Sequence, residues 1–173
     1  MNLTVLDLAG RFTGMKEIAG ERDNPQIVAM IQLVRMEMAG EGMEVLGTIP
    51  ADDETPWCSA FIGYVAFLLN LPRPAKSSGA AVRRMALRAR SWLTIGDPID
   101  LSEARPGYDC VVLNRDNGPV DPTIINAPGH VGLYVGRAGD MVALRGGNQG
   151  NMVSDRTYPT ASILGVRRWW SGI

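Results

Sequence analysis

The chain has one histidine and two cysteines among its 173 residues. Structural zinc sites usually take four Cys or His ligands, so this inventory argues against one, and no metal or other cofactor is expected. Cys58 and Cys110 could pair with each other, but two cysteines make no disulfide framework in a chain of this size. Neither charge dominates, because 17 basic and 18 acidic residues leave a formal net charge of −1. Nucleic acid as the main partner needs a basic excess, which is missing, although a local patch stays open. No apolar run approaches the roughly 18 residues that span a bilayer. The N-terminal MNLTVLDLAGRF has no basic segment followed by an apolar one. The expectation is a protein made in the cytoplasm without a Sec-type signal, with neither membrane nor nucleic acid as partner. A substrate outside the cytoplasm would then be met by release or delivery.

What is present is ordinary for a globular protein: 46% hydrophobic and 20% charged residues. The length fits a single domain over residues 1–173, able to bury a core without staples. Residues 3–9 carry a short helical pattern that ends at Gly10. Asn24-Pro25 reads as a helix start, with Asn24 as N-cap. Ile27, Val28, Ile31, Val34 and Met38 then recur at helical spacing, and Gly40 and Gly42 end the run. A polar connector over 41–54 leads to Thr55-Pro56, the start of a helix that is apolar nearly all round and belongs at the centre of the core. Residues 79–90 read as a third helix bearing Arg83, Arg84, Arg88 and Arg90. Gly96-Asp97-Pro98 is a turn. From there short strand patterns appear at 109–113, 130–136, 141–145 and 163–168, with a long Pro-containing loop over 114–129. Helices first and an antiparallel sheet afterwards is the α+β class, with helices on one side of the sheet.

With Thr55 as N-cap and Pro56 as the first helical residue, Cys58 falls at the third helical position. Unpaired backbone N–H groups and the helix dipole there favour a thiolate and lower its pKa. The competing reading is a small buried hydrophobe, the common fate of a free cysteine. Cys110, inside a strand pattern, reads as structural.

A cysteine nucleophile needs a base that a third group orients. His130 is the one histidine. Alternation along 129–135 sets Val131, Leu133 and Val135 on one face and His130, Gly132 and Tyr134 on the other. Gly132 is expected to leave open space beside the imidazole for a substrate backbone. A hydrogen-bonded structural histidine is the bland alternative. The next strand offers Asn148 as orienter, since a three-residue loop at 138–140 sets it opposite His130. A two-residue loop brings Gly147 there instead, and a bulge at Gly146-Gly147 could re-aim Asn148. An Asn side-chain oxygen can accept from the imidazole N–H and fix its tautomer. Asn148 is otherwise a turn residue.

Thr55-Pro-Trp-Cys-Ser-Ala-Phe, Pro106-Gly-Tyr-Asp, Gly129-His-Val-Gly-Leu-Tyr and Gly146-Gly-Asn-Gln occur here in the order found in NlpC/P60- and CHAP-like peptidoglycan hydrolases. Together with Gly14-Met-Lys-Glu-Ile-Ala-Gly and Asn24-Pro25, the chain resembles a phage endolysin-type subgroup over nearly its whole length. The resemblance implies a papain-like fold, with Cys58 as nucleophile, His130 as base and Asn148 as the polar third member. It implies peptidoglycan as substrate, cut at an amide bond by an endopeptidase or amidase without a cofactor. Tyr108 departs from the family pattern, which runs straight from Gly to Asp. The same triad would serve a papain-like acyltransferase or protein peptidase, and the fold could also persist in a non-enzymatic phage structural or binding protein.

Three further features carry two readings each. Asp52, Asp53 and Glu54 either place favourable charge near a helix start or touch calcium, though they form no recognisable calcium loop. The four arginines either cover a solvated helix face or meet an anionic wall. Trp92, Trp169 and Trp170 either stack on sugars or pack internally.

Overall fold

Thr4 begins the first helix with a capping box, its side chain accepting from the Asp7 N–H while Asp7 reaches back to the Thr4 N–H. This helix, α1 (Val5–Gly10), opens a computed structural model that describes residues 3–20, 22–39, 52–77 and 80–169. The second, α2 (Pro25–Ala39), starts as expected, with the Asn24 side-chain oxygen accepting from the Gln26 N–H at 2.9 Å. Its expected stops, Gly40 and Gly42, lie outside the described residues, as does most of the connector after them.

The central helix is α3 (Cys58–Leu68), and it begins later than the sequence implied. The Asp52 carboxylate takes both the Thr55 N–H (2.7 Å) and its hydroxyl (2.8 Å). That holds 52–55 as a separate turn, and Trp57 becomes the N-cap. Cys58 is therefore the first helical residue, still within the turn whose N–H groups lack helical partners. The helix is buried from Cys58 to Gly63, where it meets Val34 of α2, but Phe67 and Leu68 emerge to solvent.

The expected helix over 79–90 does not form as a unit. Two short pieces, α4 (Pro74–Ser77) and α5 (Ala80–Arg83), are followed by turns and a 3-10 segment over Ala89–Thr94. Six strands follow: β1 (Asp97–Ile99), β2 (Asp109–Asn114), β3 (Gly129–Ala138), β4 (Met141–Gly146), β5 (Ser154–Pro159) and β6 (Ile163–Arg168). They form one sheet in the order β1-β6-β2-β3-β4-β5, with every pairing antiparallel. The α+β class is thus what the chain adopts. β1 replaces part of an expected turn, and β5 had no counterpart in the sequence reading.

Alternation divides the sheet as expected. Cys110, Val112, Val131 and Leu133 join the helices in the main core. Val111, Leu113, Tyr134, Val142, Leu144 and Val166 form a second cluster on the opposite face. Asp109 at the start of β2 is buried and grips Arg168 of β6 through both oxygens, each at 2.9 Å. Trp92 and Trp169 are core residues in edge-to-face contact at 4.9 Å, so neither offers a sugar platform. Trp170 lies outside the described residues.

Candidate active site

Cys58 and His130 reach the same end of β3 from different elements. Cys58, the first residue of α3, lines a cleft with Pro128 and Gly129, the two residues that lead into His130 on β3. Both side chains are buried. Burial pushes the Cys58 thiol up, against the expectation from its helical position. The N–H groups of Val131, Ser59 and Cys58 and the charge of Arg115 pull the other way without overcoming it. Cys110 is pushed up to about 12, by burial first and Asp109 second, as fits an inert core thiol.

The imidazole partner is Gln149 rather than Asn148. The β3–β4 loop is the two-residue Gly139-Asp140, with Ala138 paired to Met141. A bulge between Tyr134 and Gly136 shifts the register so that Leu133 faces Arg145. β4 then ends at Gly146, so neither Gly147 nor Asn148 pairs with His130. Asn148 adopts a left-handed backbone (φ 55°), which turns the chain and sends Gln149 inward. Gln149 is 2% exposed, and its Oε1 lies 3.1 Å from His130 Nε2.

The hydrogen bonds of Gln149 fix the imidazole tautomer. Its Nε2 donates to the Leu144 and Ser154 carbonyls, so the atom facing His130 is the oxygen. That oxygen also accepts from the Tyr158 hydroxyl at 2.9 Å. An acceptor at 3.1 Å requires the proton on His130 Nε2, which leaves Nδ1 with the lone pair. The Tyr158 ring packs on the imidazole at 5.5 Å. Burial lowers the His130 pKa to about 4; the Gln149 bond opposes that shift, and Arg115 and Arg156 add to it. The resting pair is therefore a thiol and a neutral imidazole. Gln149 and Tyr158 were missed because a bulge and an exposed edge strand give no signal in the sequence.

The expected space beside Gly132 is filled. A Cβ there would lie 3.0 Å from Leu144 Cβ and 3.2 Å from the Arg145 carbonyl oxygen, both on the neighbouring strand β4. Cys58 itself lines a cleft. It has a volume of about 170 Å³, and its walls include Arg88, Arg115, Asp116, Pro128 and Gly129.

Arg90, expected on a solvated or wall-facing surface, is fully buried and organises that wall. Its Nε donates to the Pro128 carbonyl (2.8 Å), and Nη1 to those of Asp121 (3.2 Å) and Ile124 (3.3 Å). Nη2 donates to Asn114 Oδ1 (2.7 Å) and the Pro119 carbonyl (2.9 Å). The long loop over 114–129 is thus wrapped around one guanidinium. Arg83, Arg84 and Arg88 stay at least partly exposed.

The acidic trio is structural at two positions. Buried Asp53 accepts from the Ile18 and Asn24 N–H groups, both at 2.8 Å, and Asp52 holds Thr55. Among the described residues, no three His, Cys, Asp or Glu side chains cluster as metal ligands. No described helix is long and apolar enough to cross a membrane.

No family model and no curated protein matches the chain. Among solved structures, NlpC1 from Trichomonas vaginalis aligns at 19% identity with a TM-score of 0.41. The alignment covers 90% of this chain and 47% of that one, so the chain spans about half the length of that protein.

Proposed function

We propose that the chain is a cysteine amidohydrolase that cuts peptidoglycan, an NlpC/P60-type endopeptidase or amidase of the phage endolysin kind. The observation that carries the reading is Cys58, the first residue of α3, on a cleft it shares with Pro128 and Gly129, which lead directly into a histidine that buried Gln149 orients. The order of sequence motifs around these residues supports it and points to the cell wall.

In this reading His130 Nδ1 takes the Cys58 proton as the sulfur attacks the amide carbonyl. The Cys58 backbone N–H, at a helix start, helps hold the oxyanion. The imidazolium returns its proton to the leaving amine, and water activated by His130 then clears the thioester. Gln149 keeps the proton on Nε2 throughout, as an orienter does in a triad. Asn148 enters only as the turn that aims Gln149.

The burial of both Cys58 and His130 favours a second reading, a binding protein that keeps the fold without the chemistry. Digestion of purified peptidoglycan by the parent and by Cys58→Ala, with products read by mass spectrometry, decides between them. New amino and carboxyl ends released by the parent alone are expected. Equal release by both variants, or none by either while folded, removes the hydrolase reading. Transfer of acyl groups to an added amine in place of water would identify an acyltransferase.

A further inference from the structure

Among the described residues β5 is an edge strand, paired on one side only, and Asp155, Arg156, Thr157 and Pro159 are exposed on it. Tyr158 breaks that pattern. It is paired with buried Val142 of β4, and its ring packs against the second hydrophobic cluster. Its hydroxyl donates to Gln149 Oε1 at 2.9 Å, and its ring centroid lies 5.5 Å from that of the His130 imidazole, with the planes 37° apart. The same ring lines a cavity of about 420 Å³ with Ala143, Asp155, Arg156 and Thr157. One side chain therefore meets the orienter, the base and an open cavity at the sheet edge.

The hydroxyl is not needed to choose the flip of the Gln149 amide, because Nε2 of that amide already donates to the Leu144 and Ser154 carbonyls. It fills the second lone pair of Oε1 instead, the first being taken by the His130 Nε2–H. Two donors then share one oxygen. That oxygen gives the imidazole N–H a weaker bond than it would give alone, and so favours the imidazolium less. Burial pushes the Tyr158 phenol above its ordinary range, so the group stays a donor at neutral pH. The charges that act on the pair are those of Arg115, from the loop after β2, and Arg156, from β5, while the Cys58 thiol of α3 also acts on Tyr158. Both arginines disfavour an imidazolium, but burial comes first among its causes, and the Tyr158 ring supplies part of that burial.

We propose that Tyr158 is a positioning residue for His130: its hydroxyl shares Gln149 Oε1 with the imidazole, and its ring closes the imidazole off from the cavity at the sheet edge. The base is thereby held neutral, with its proton on Nε2, until Cys58 attacks. The kinetic half of the inference rests on His130 serving as the base of Cys58, whereas the positioning half can be read without turnover.

His130 is the one histidine of the chain, so long-range proton–nitrogen correlation NMR reads its tautomer and titration from a single imidazole. The parent should carry the proton on Nε2 and titrate at about 4. Tyr158→Phe keeps the ring and loses the hydroxyl. It should keep the tautomer and titrate roughly 0.5 to 1 pH unit higher, the size of one net hydrogen bond. Tyr158→Ala opens the place of the ring to water and should bring the titration to within about one pH unit of the ordinary imidazole value. On a soluble muropeptide the acid limb of kcat/KM should move to higher pH in Tyr158→Phe, in step with the NMR titration. The proposal is overturned if Tyr158→Phe titrates with the parent, or if folded Tyr158→Ala does. Should Tyr158→Ala fail to fold, Tyr158→Phe decides alone, because it keeps the packing of the ring. The expected titrations with no digestion by the parent would keep the hold of Tyr158 on the imidazole and remove the hydrolase reading. Digestion by the parent with unmoved titrations would do the reverse.

Discussion

Gln149 and Asn148 are neighbours with opposite tasks, and single substitutions can tell them apart. Gln149 orients His130 through its side chain, whereas Asn148 contributes a left-handed backbone that glycine adopts as readily. Gln149→Ala should lower kcat roughly 100-fold or more, in the range that general acid–base catalysis contributes. Asn148→Gly should leave activity near the parent's. Kinetics on a soluble muropeptide check both, and the reverse ranking would return the orienting role to Asn148. The sequence made Cys58 and His130 visible because reactive side chains are so scarce in it. It could not separate Gln149 from Asn148, because one bulged residue in β3 and the early end of β4 decide which of them turns inward.

Legibility of the elements followed apolar periodicity. β3 and β4 alternate cleanly and were readable, whereas β5 is a largely exposed edge strand of polar residues ending at Pro159, so Tyr158 went unnoticed with it. Arg90 read as one of a cluster because its acceptors are carbonyls from a loop 29 to 38 residues away, together with Asn114. Two elements can be tested by their tightest contacts. A Cβ on Gly147 would lie 2.5 Å from Trp57 and 2.6 Å from Phe61, where the turn carrying Gln149 presses on the start of α3. Gly147→Ala should therefore cost about 1–3 kcal/mol, as overpacking does, and reduce activity by shifting Gln149. An unchanged urea midpoint would show that the contact is slack. Arg90→Met should remove at least the ~1.5–3 kcal/mol that a hydrogen bond to a charged group contributes. It should also expose the 115–128 segment to proteolytic nicking that the parent resists, and equal resistance would mean that the loop holds itself.

Stability as a function of pH joins the site to the whole fold through His130. Its ordinary pKa of 6.5 falls to about 4 in the folded chain, first because burial penalises the charged imidazolium. Arg115 and Arg156 add to the penalty, and the Gln149 bond offsets part of it. Above pH 6.5 the imidazole is neutral in folded and unfolded chains alike, and the fold keeps its full stability. Between 6.5 and about 4 the unfolded chain takes up a proton that the folded chain refuses, so stability falls with pH. Below about 4 both states are protonated and this contribution levels off. At 1.36 kcal/mol per pH unit the loss is about 3 kcal/mol, a large share of the 5–15 kcal/mol that holds a domain together. Urea unfolding of the parent at pH 7 and pH 4.5 should show most of that loss. His130→Gln removes the titrating group, so its own stability should change much less over the same interval, apart from the carboxylates both proteins share. Equal pH slopes for the two proteins would mean that the imidazole is already solvated in the native state. In that case neither its burial nor its dependence on Gln149 describes the working site.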